Sequence, residues 1–257
     1  MSVLQRKASL SNKIRAVLIG NTPDGSKQST AKTTLSIKPE DGLYADFLVL
    51  SKLHTWKKSQ DPPAFEALRA RVSEKRPALA TYTLADYQNL RAQVAKVSSE
   101  QELVQYVLPY FLEKDATDSS AFHYDTLFGN ILKFNPKLSL AKPDLWWGTR
   151  RTIVRQLIWD ALDKVVNPTN SKDAIVPNML VEFKGPEGHE LTGSNQACHY
   201  GAIGARAMHY LQNYGRDPSQ YTFDSTVRTF TALFHGNTFI LYGHYIAPPR
   251  EGQTEPE

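Results

Sequence analysis

The sequence predicts an α/β fold: a mixed β-sheet flanked by helices, preceded by an N-terminal helical extension. Three observations predict it. From Ser99 onward, helix-length and strand-length apolar runs follow one another as helix, strand or strands, inserted helix, strand, helix, strand, strand. The segment Ser194–Tyr214 carries Ala197, Gly201, Ala202, Gly204, Ala205 and Ala207, small side chains that let a helix lie close on a sheet. Tyr221–His235 and Thr238–Ala247 are β-rich runs joined at Gly236-Asn237, a hairpin signal.

Residues 1–40 are rich in Ser, Thr and Lys and read as a flexible basic arm, with one apolar run, Ala16-Val17-Leu18-Ile19, that suits a short helix or strand. Residues 41–98 read as the helical extension. Its first helix is Tyr44–Leu53, packed on something larger. Pro62-Pro63 breaks the chain, Ala64–Lys75 is a second helix, and Thr83–Val97 a third, with Leu84, Tyr87, Leu90 and Val94 at helical spacing. Residues 99–247 form the core. Ser99-Glu100-Gln101-Glu102 has capping-box form and opens a helix through Leu103, Val104, Val107, Leu108 and Phe111, which Pro109 kinks or ends. Phe122–Phe134 suits a helix or a strand, and periodicity does not decide. Leu138–Leu145 should hold a strand ending near Pro143-Asp144. Thr149–Val166 reads as one long amphipathic helix, with Ile153, Leu157, Ile158, Ala161, Leu162 and Val165 on one face. Asn178–Phe183 is a short strand stopped by the turn cluster Gly185-Pro186-Glu187-Gly188. Residues 248–257 are a loose tail, and no internal repeat is visible.

The 257 residues, 41% hydrophobic, suffice for one large domain, or one with a smaller extension. The net charge of +4 is compatible with nucleic acid without arguing for it. A single cysteine, Cys198, excludes an internal disulfide and a cysteine-based zinc cluster, and suits a reducing, intracellular compartment, nucleus or cytoplasm. No apolar run reaches the ~20 residues that span a bilayer, so no membrane partner is expected. Arg6, Lys7, Lys13 and Arg15 precede the first acidic residue, Asp24. A basic arm is the main reading and a mitochondrial presequence the minor one.

Two short pieces carry the chemistry: Lys142-Pro143-Asp144 and Val181-Glu182-Phe183-Lys184. Two carboxylates can hold a hard divalent cation, which lowers the pKa of a bound water and neutralises phosphate charge. A neighbouring lysine can orient that water or stabilise developing negative charge. Glu182 and Lys184, two apart on a strand, share a face. Asp144 and Glu182 are distant in the chain, so only the fold can bring them together. The plain alternative is a surface Glu–Lys pair worth a fraction of a kcal/mol. Gln196 and Tyr200, at i and i+4, share a helix face, where they could touch water or phosphate, or simply cap a packing helix.

Taken together these residues resemble the PD-(D/E)XK nuclease superfamily, of restriction-endonuclease-like fold. Gln196-x-x-x-Tyr200 looks like the motif of its RecB-type branch. The stretch Lys142-Pro143-Asp144-Leu145, with Pro177 to Gly188 and Gln196 to His209, is similar to a fungal family of such domains, mostly of unassigned role. The likeness covers roughly residues 99–247 and does not extend to 1–98. It implies Asp144 and Glu182 as ligands of Mg2+ or Mn2+, Lys184 as the catalytic lysine, and Gln196 and Tyr200 as helix-borne auxiliaries. An acid from the first core helix often assists, with Glu102 first in line and Glu100 behind it. The implied activity is metal-dependent hydrolysis of nucleic acid, DNA ahead of RNA, leaving 5′-phosphate ends. A homodimer that cuts both strands stays open. The departures are a long insertion between Asp144 and Glu182 and the pair Trp146-Trp147, which lines the site or packs. Members also lose activity, so the alternative is a catalytically inactive module binding nucleic acid or a protein partner.

Arg150 and Arg151 could clamp phosphates near the site or form a solvated helix face. His189, in the Gly-rich turn, could touch substrate. His199 and His209 lie on the Gln196 helix, His209 as a structural or exposed residue. Cys198 and His199 point some 100° apart on a helix and make no nucleophilic dyad, so Cys198 reads as a small buried residue. No zinc spacing, phosphate-cradling loop or nucleophile elbow appears.

Overall fold

A computed structural model describes residues 36–41, 43–53, 61–74, 83–110, 120–169, 174–236 and 238–249. Nearly all of the expected basic arm and tail lie outside them. Among these residues four helices come first: α1 (Tyr44–Leu50), α2 (Phe65–Ser73), α3 (Leu84–Val94) and α4 (Glu100–Val107). Their starts are locally encoded. Thr83 and Asp86 cap α3 reciprocally. Ser99 caps α4 by accepting from the Glu102 N–H at 3.2 Å. The Glu102 carboxylate reaches one residue further back than a capping box requires, to Ser98 N at 2.7 Å and Ser98 Oγ at 2.8 Å. Pro109 ends α4 in a 3-10 turn, Leu108–Tyr110.

A five-stranded mixed sheet follows, its strands in sequential order: β1 (Ser120–Tyr124), β2 (Leu145–Arg150), β3 (Ala174–Lys184), β4 (Thr229–His235) and β5 (Thr238–His244). The pairs β1–β2, β2–β3 and β4–β5 are antiparallel. Only β3 and β4 are parallel, and a parallel pair needs a long crossover, which α7 (Glu190–Gln212) supplies. Gly236 adopts φ +58° in the β4–β5 hairpin, a conformation glycine takes freely; residue 237 lies outside the described residues.

Both sheet faces are covered. On one, Leu145, Val181, Phe183, Ala232 and Phe234 bury against Leu103 and Val107 of α4, with Leu90 and Val94 of α3 at the margin. On the other, Trp146 and Leu180 pack on Tyr200 and Ile203 of α7. Each large apolar side chain so buried contributes roughly 1.5–3 kcal/mol. Helix α1 lies on the outer side of α7: Tyr44 and Leu48 are fully buried with Cys198 and Leu138.

Several expectations are corrected. The strand expected to end at Pro143-Asp144 begins just after it, because Pro143 has no N–H for a ladder and β-forming Trp146, Trp147 and Thr149 follow. Phe122–Phe134 divides into the end of β1 and an irregular loop. The long helix over Thr149–Val166 does not form. Thr149 and Arg150 pair with Ile175 and Ala174, Arg151–Ile153 makes a 3-10 turn, and Val154 is extended. Only two short helices remain, α5 (Gln156–Ala161) and α6 (Asp163–Val166). Ile153 and Leu157, on the expected buried face, are exposed. Strand β3 is longer than expected and bulged. Its pairing jumps from Trp147–Met179 to Thr149–Ile175, and Pro177 sits in the gap, where no ladder N–H is needed. Val176 there adopts φ +57°, a strained conformation for a β-branched residue that costs on the order of 1–3 kcal/mol. The run from Tyr221 is irregular until Thr229, where β4 starts.

Candidate active site

The site forms where β2 begins and β3 ends. Side chains alternate along β3, so Val181 and Phe183 enter the α4 face while Leu180, Glu182 and Lys184 turn toward α7. Leu145 pairs with Val181, which brings the preceding Asp144 beside the end of β3. The junction is fixed by one bond: the Phe183 N–H donates to Asp144 Oδ2 at 2.7 Å. The two carboxylates, distant in sequence, thus occupy one corner.

Lys184 completes it. Its ammonium donates to Glu182 Oε1 at 2.5 Å, to the Phe183 carbonyl at 3.1 Å and to Glu100 Oε2 at 3.3 Å. An ammonium has three protons. All three have acceptors, so one bond must yield before Lys184 can serve water or phosphate. Gly193, in the first turn of α7, makes room for Leu233 of β4 and for the lysine stem: a Cβ there would lie 2.5 Å from Leu233 Cδ1 and 3.1 Å from Lys184 Cγ. Further along α7, Gln196 Nε2 donates to the Tyr200 hydroxyl, which donates to the Lys142 carbonyl, both at 3.2 Å. The Gln-Tyr pair therefore ties α7 to the Pro-Asp segment.

The corner is electrostatically tense. Burial pushes the Asp144 carboxyl up, to about 6, against the Phe183 N–H and the Lys184 ammonium. Burial, then the Asp144 charge, pushes Glu182 to about 8, with Lys184 pulling the other way. Burial alone would lower Lys184, but Glu182, Glu100 and Asp144 outweigh it and hold the ammonium above its usual value. Three carboxylates face one cation.

Glu182 is only 3% exposed, and its Oε2 has no hydrogen-bond partner; neither has the buried Oε1 of Gln196. An acceptor buried without a donor costs about 1–3 kcal/mol, which a bound cation would relieve. Among the described residues, no group of three or more His, Cys, Asp or Glu side chains is placed to hold an ion. Mg2+ commonly takes one or two carboxylates and fills its shell with water and phosphate oxygens. Asp144 and Glu182 fit that requirement: two hard oxygen donors, one carrying an orphaned oxygen.

The other expected residues are distributed differently. Glu102 is turned away to Ser98, whose hydrogen bonds lower its carboxyl pKa. Glu100, two positions earlier and so about 200° around the helix, is the acid that reaches Lys184. Arg150 and Arg151 are not near the carboxylates. Strand β2 runs away from Asp144, and Arg150 pairs with Ala174 at the far end of β3, about 20 Å off at the usual strand rise. His189 is exposed ahead of α7, at the Lys184 end of the sheet. Trp146 and Trp147 pack, the first against Phe128 and the second against Phe122. Cys198 is buried, and burial pushes its thiol up to about 12. His209 is buried and stacked on Phe223 at 4.7 Å.

Three participants carried little sequence signal. Glu100 stood behind Glu102 as the assisting acid of the first core helix. Tyr44 comes from α1. Burial holds His199 neutral, its pKa lowered to about 3, and its Nδ1 shares a 2.7 Å hydrogen bond with the Tyr44 hydroxyl. Burial raises the pKa of the same hydroxyl, and the Glu182 charge adds a smaller push in the same direction. His235 pairs in register with Lys184, and its Nε2 donates to the Gly188 carbonyl at 2.9 Å. That bond closes the 185–188 turn, whose Gly188 lies against the Lys184 stem.

No protein-family model, curated protein or solved structure matches this chain. No helix among the described residues is long and apolar enough to cross a membrane.

Proposed function

We propose that this protein is a divalent-metal-dependent nuclease of restriction-endonuclease-like fold that hydrolyses phosphodiester bonds of nucleic acid. The observation that carries the reading is the buried Glu182 carboxylate. One oxygen is paired to Lys184, the other is unpartnered, and Asp144 is fastened alongside through Phe183 N. The order α4, the antiparallel trio β1–β3, the crossover α7 and then β4 supports the fold assignment. DNA is placed ahead of RNA by the sequence resemblance alone.

Asp144 and Glu182 would hold the cation. Bound Mg2+ or Mn2+ supplies phosphate charge neutralisation and a water of lowered pKa. Lys184, once released from one carboxylate, orients the attacking water or donates to the phosphoryl oxygen that gains charge. The Gln196–Tyr200–Lys142 chain of hydrogen bonds keeps α7 and the Asp144 segment in register during inline attack. The low exposure of Glu182 keeps bulk water from competing with these bonds.

The test is incubation of plasmid and single-stranded DNA with Mg2+ or Mn2+, comparing wild type with Asp144→Ala and Lys184→Ala. Cutting by wild type, lost in both variants, supports the site. Cutting that persists in both removes it. One observation favours a second reading, an inactive module binding nucleic acid or a protein partner: all three Lys184 protons are already engaged. No cutting with any metal or substrate would select it.

A further inference from the structure

Three arginines unused by the carboxylate corner lie together at the opposite end of the sheet. Arg150 ends β2, Arg151 starts the 3-10 turn and Arg155 precedes α5. Arg150 and Arg155 are exposed. The Arg151 guanidinium lies over the Trp159 ring at 3.4 Å, half-buried and held in place. Among the described residues none of the three has a carboxylate within ion-pair distance. Asp160, the acid on α5, accepts instead from Gln156 Nε2 at 3.0 Å. Ile153 and Leu157 are exposed in the same stretch.

We propose that this arginine surface docks the phosphate backbone of nucleic acid at a place separate from the carboxylate corner. Three cations within six residues, with no carboxylate partner among the described residues, repel one another, and a polyanion removes the repulsion. Guanidinium groups are weakly hydrated, and their planar forks match phosphate oxygens. The surface is about 20 Å from Asp144 along β2. That distance corresponds to about six phosphates at the duplex spacing of roughly 3.4 Å along one strand. This span rests on the nuclease reading above; the docking itself does not. An anionic lipid surface shares the phosphate chemistry, but α5 has six residues, about 9 Å of helix, and offers too little apolar area to enter a headgroup layer.

The experiment is fluorescence anisotropy with a labelled 20-nucleotide single strand and a 20-base-pair duplex, in EDTA so that nothing is cut, between 50 and 200 mM KCl (about the range over which phosphate contacts are read). Arg150→Gln/Arg151→Gln/Arg155→Gln should bind at least about tenfold more weakly at 100 mM salt. Its log–log salt slope should be shallower by about two for the single strand, at ~0.7 per lost phosphate contact. The double variant Arg150→Gln/Arg155→Gln keeps the Arg151–Trp159 stack and should show about two-thirds of the change in slope. A control with equal charge loss, Arg69→Gln/Arg71→Gln/Lys96→Gln, should change affinity less than about threefold. Because EDTA removes any divalent cation, affinity and slope here do not depend on whether Asp144 and Glu182 hold a metal, which separates failure of the metal reading from failure of this one. The proposal is overturned if wild type binds neither probe, if both arginine variants match the control, or if the arginine change abolishes capture by phosphatidylserine vesicles while nucleic-acid binding is untouched.

Discussion

The Phe183 N–H and the Asp144 carboxylate are joined by a 2.7 Å hydrogen bond that sets the distance between two acids, one just ahead of β2 and one on β3. It uses the backbone of the residue between Glu182 and Lys184, so any displacement of Asp144 is felt by both. Asparagine offers an amide oxygen of the same shape for that bond.

Asp144→Asn should therefore fold with a melting temperature in EDTA at or above wild type, because a buried, unfavourably charged carboxyl is gone. Its Mg2+ affinity should fall at least about tenfold, the loss of one charged ligand. Calorimetric Mg2+ titration and thermal melts check this together. Wild-type Mg2+ affinity in the variant would exclude Asp144 as a ligand.

Lys184→Met takes its cation from the Glu182 carboxyl, whose folded value of about 8 then rises further, so the loss of stability should be larger at pH 9, where wild-type Glu182 is ionised and paired, than at pH 7. Adding Glu182→Gln should recover a good part of that, since a neutral amide needs no counter-ion. Urea unfolding of the two single variants and the double gives the coupling. Additive losses would mean that the 2.5 Å pair is not energetically coupled.

Glu100 and Glu102 should behave oppositely. Glu100→Gln removes one of the three negative charges that face Lys184 and should alter cleavage rate and its Mg2+ dependence severalfold. Glu102→Gln, facing Ser98, should leave both at the wild-type level. Rates of cleavage against Mg2+ concentration decide it; equal effects would mean that helix α4 acts only through its fold.

His199 should make the protein acid-sensitive. Its folded pKa is lowered to about 3, below the ordinary value near 6.5. Between those values the unfolded chain binds a proton that the folded one refuses, so stability is intact above about pH 6.5 and falls as pH drops toward 3. Burial lowers His209 and His244 in the same direction. The raised carboxyls of Asp144 and Glu182 work the other way, so the comparison is between variants. His199→Asn, whose amide oxygen can accept from Tyr44, should flatten the stability slope over this range by up to ~1.4 kcal/mol per pH unit. Urea unfolding at four pH values from 4.5 to 7.5 measures it. An unchanged slope would mean that His199 takes up a proton in the folded state.

Local features of this chain could be read before it folded. Glu182 and Lys184 share a face because a strand repeats every two residues. The caps of α3 and α4, the small-residue helix α7 and the turn at Gly236 depend on neighbours within a few positions. The segment Thr149–Val166 departs from its expected helix for the same reason. Its apolar spacing matches a helix, but its first residues already belong to the β2–β3 ladder, whose partners lie more than twenty residues away.

Residue identity and spacing determined which groups could do chemistry: two acids, an amine, and a Gln-Tyr pair one helical turn apart. Only the tertiary structure decided which of them meet. It set where β2 starts, and so which end of the sheet receives Asp144 and which receives Arg150. It chose Glu100 over Glu102 through the rotation of α4, and it brought Tyr44 onto His199 from outside the core. The physical reason is that backbone propensities act over a few residues, whereas strand direction, helix rotation and the dryness around Glu182 are set by packing between segments far apart in the chain.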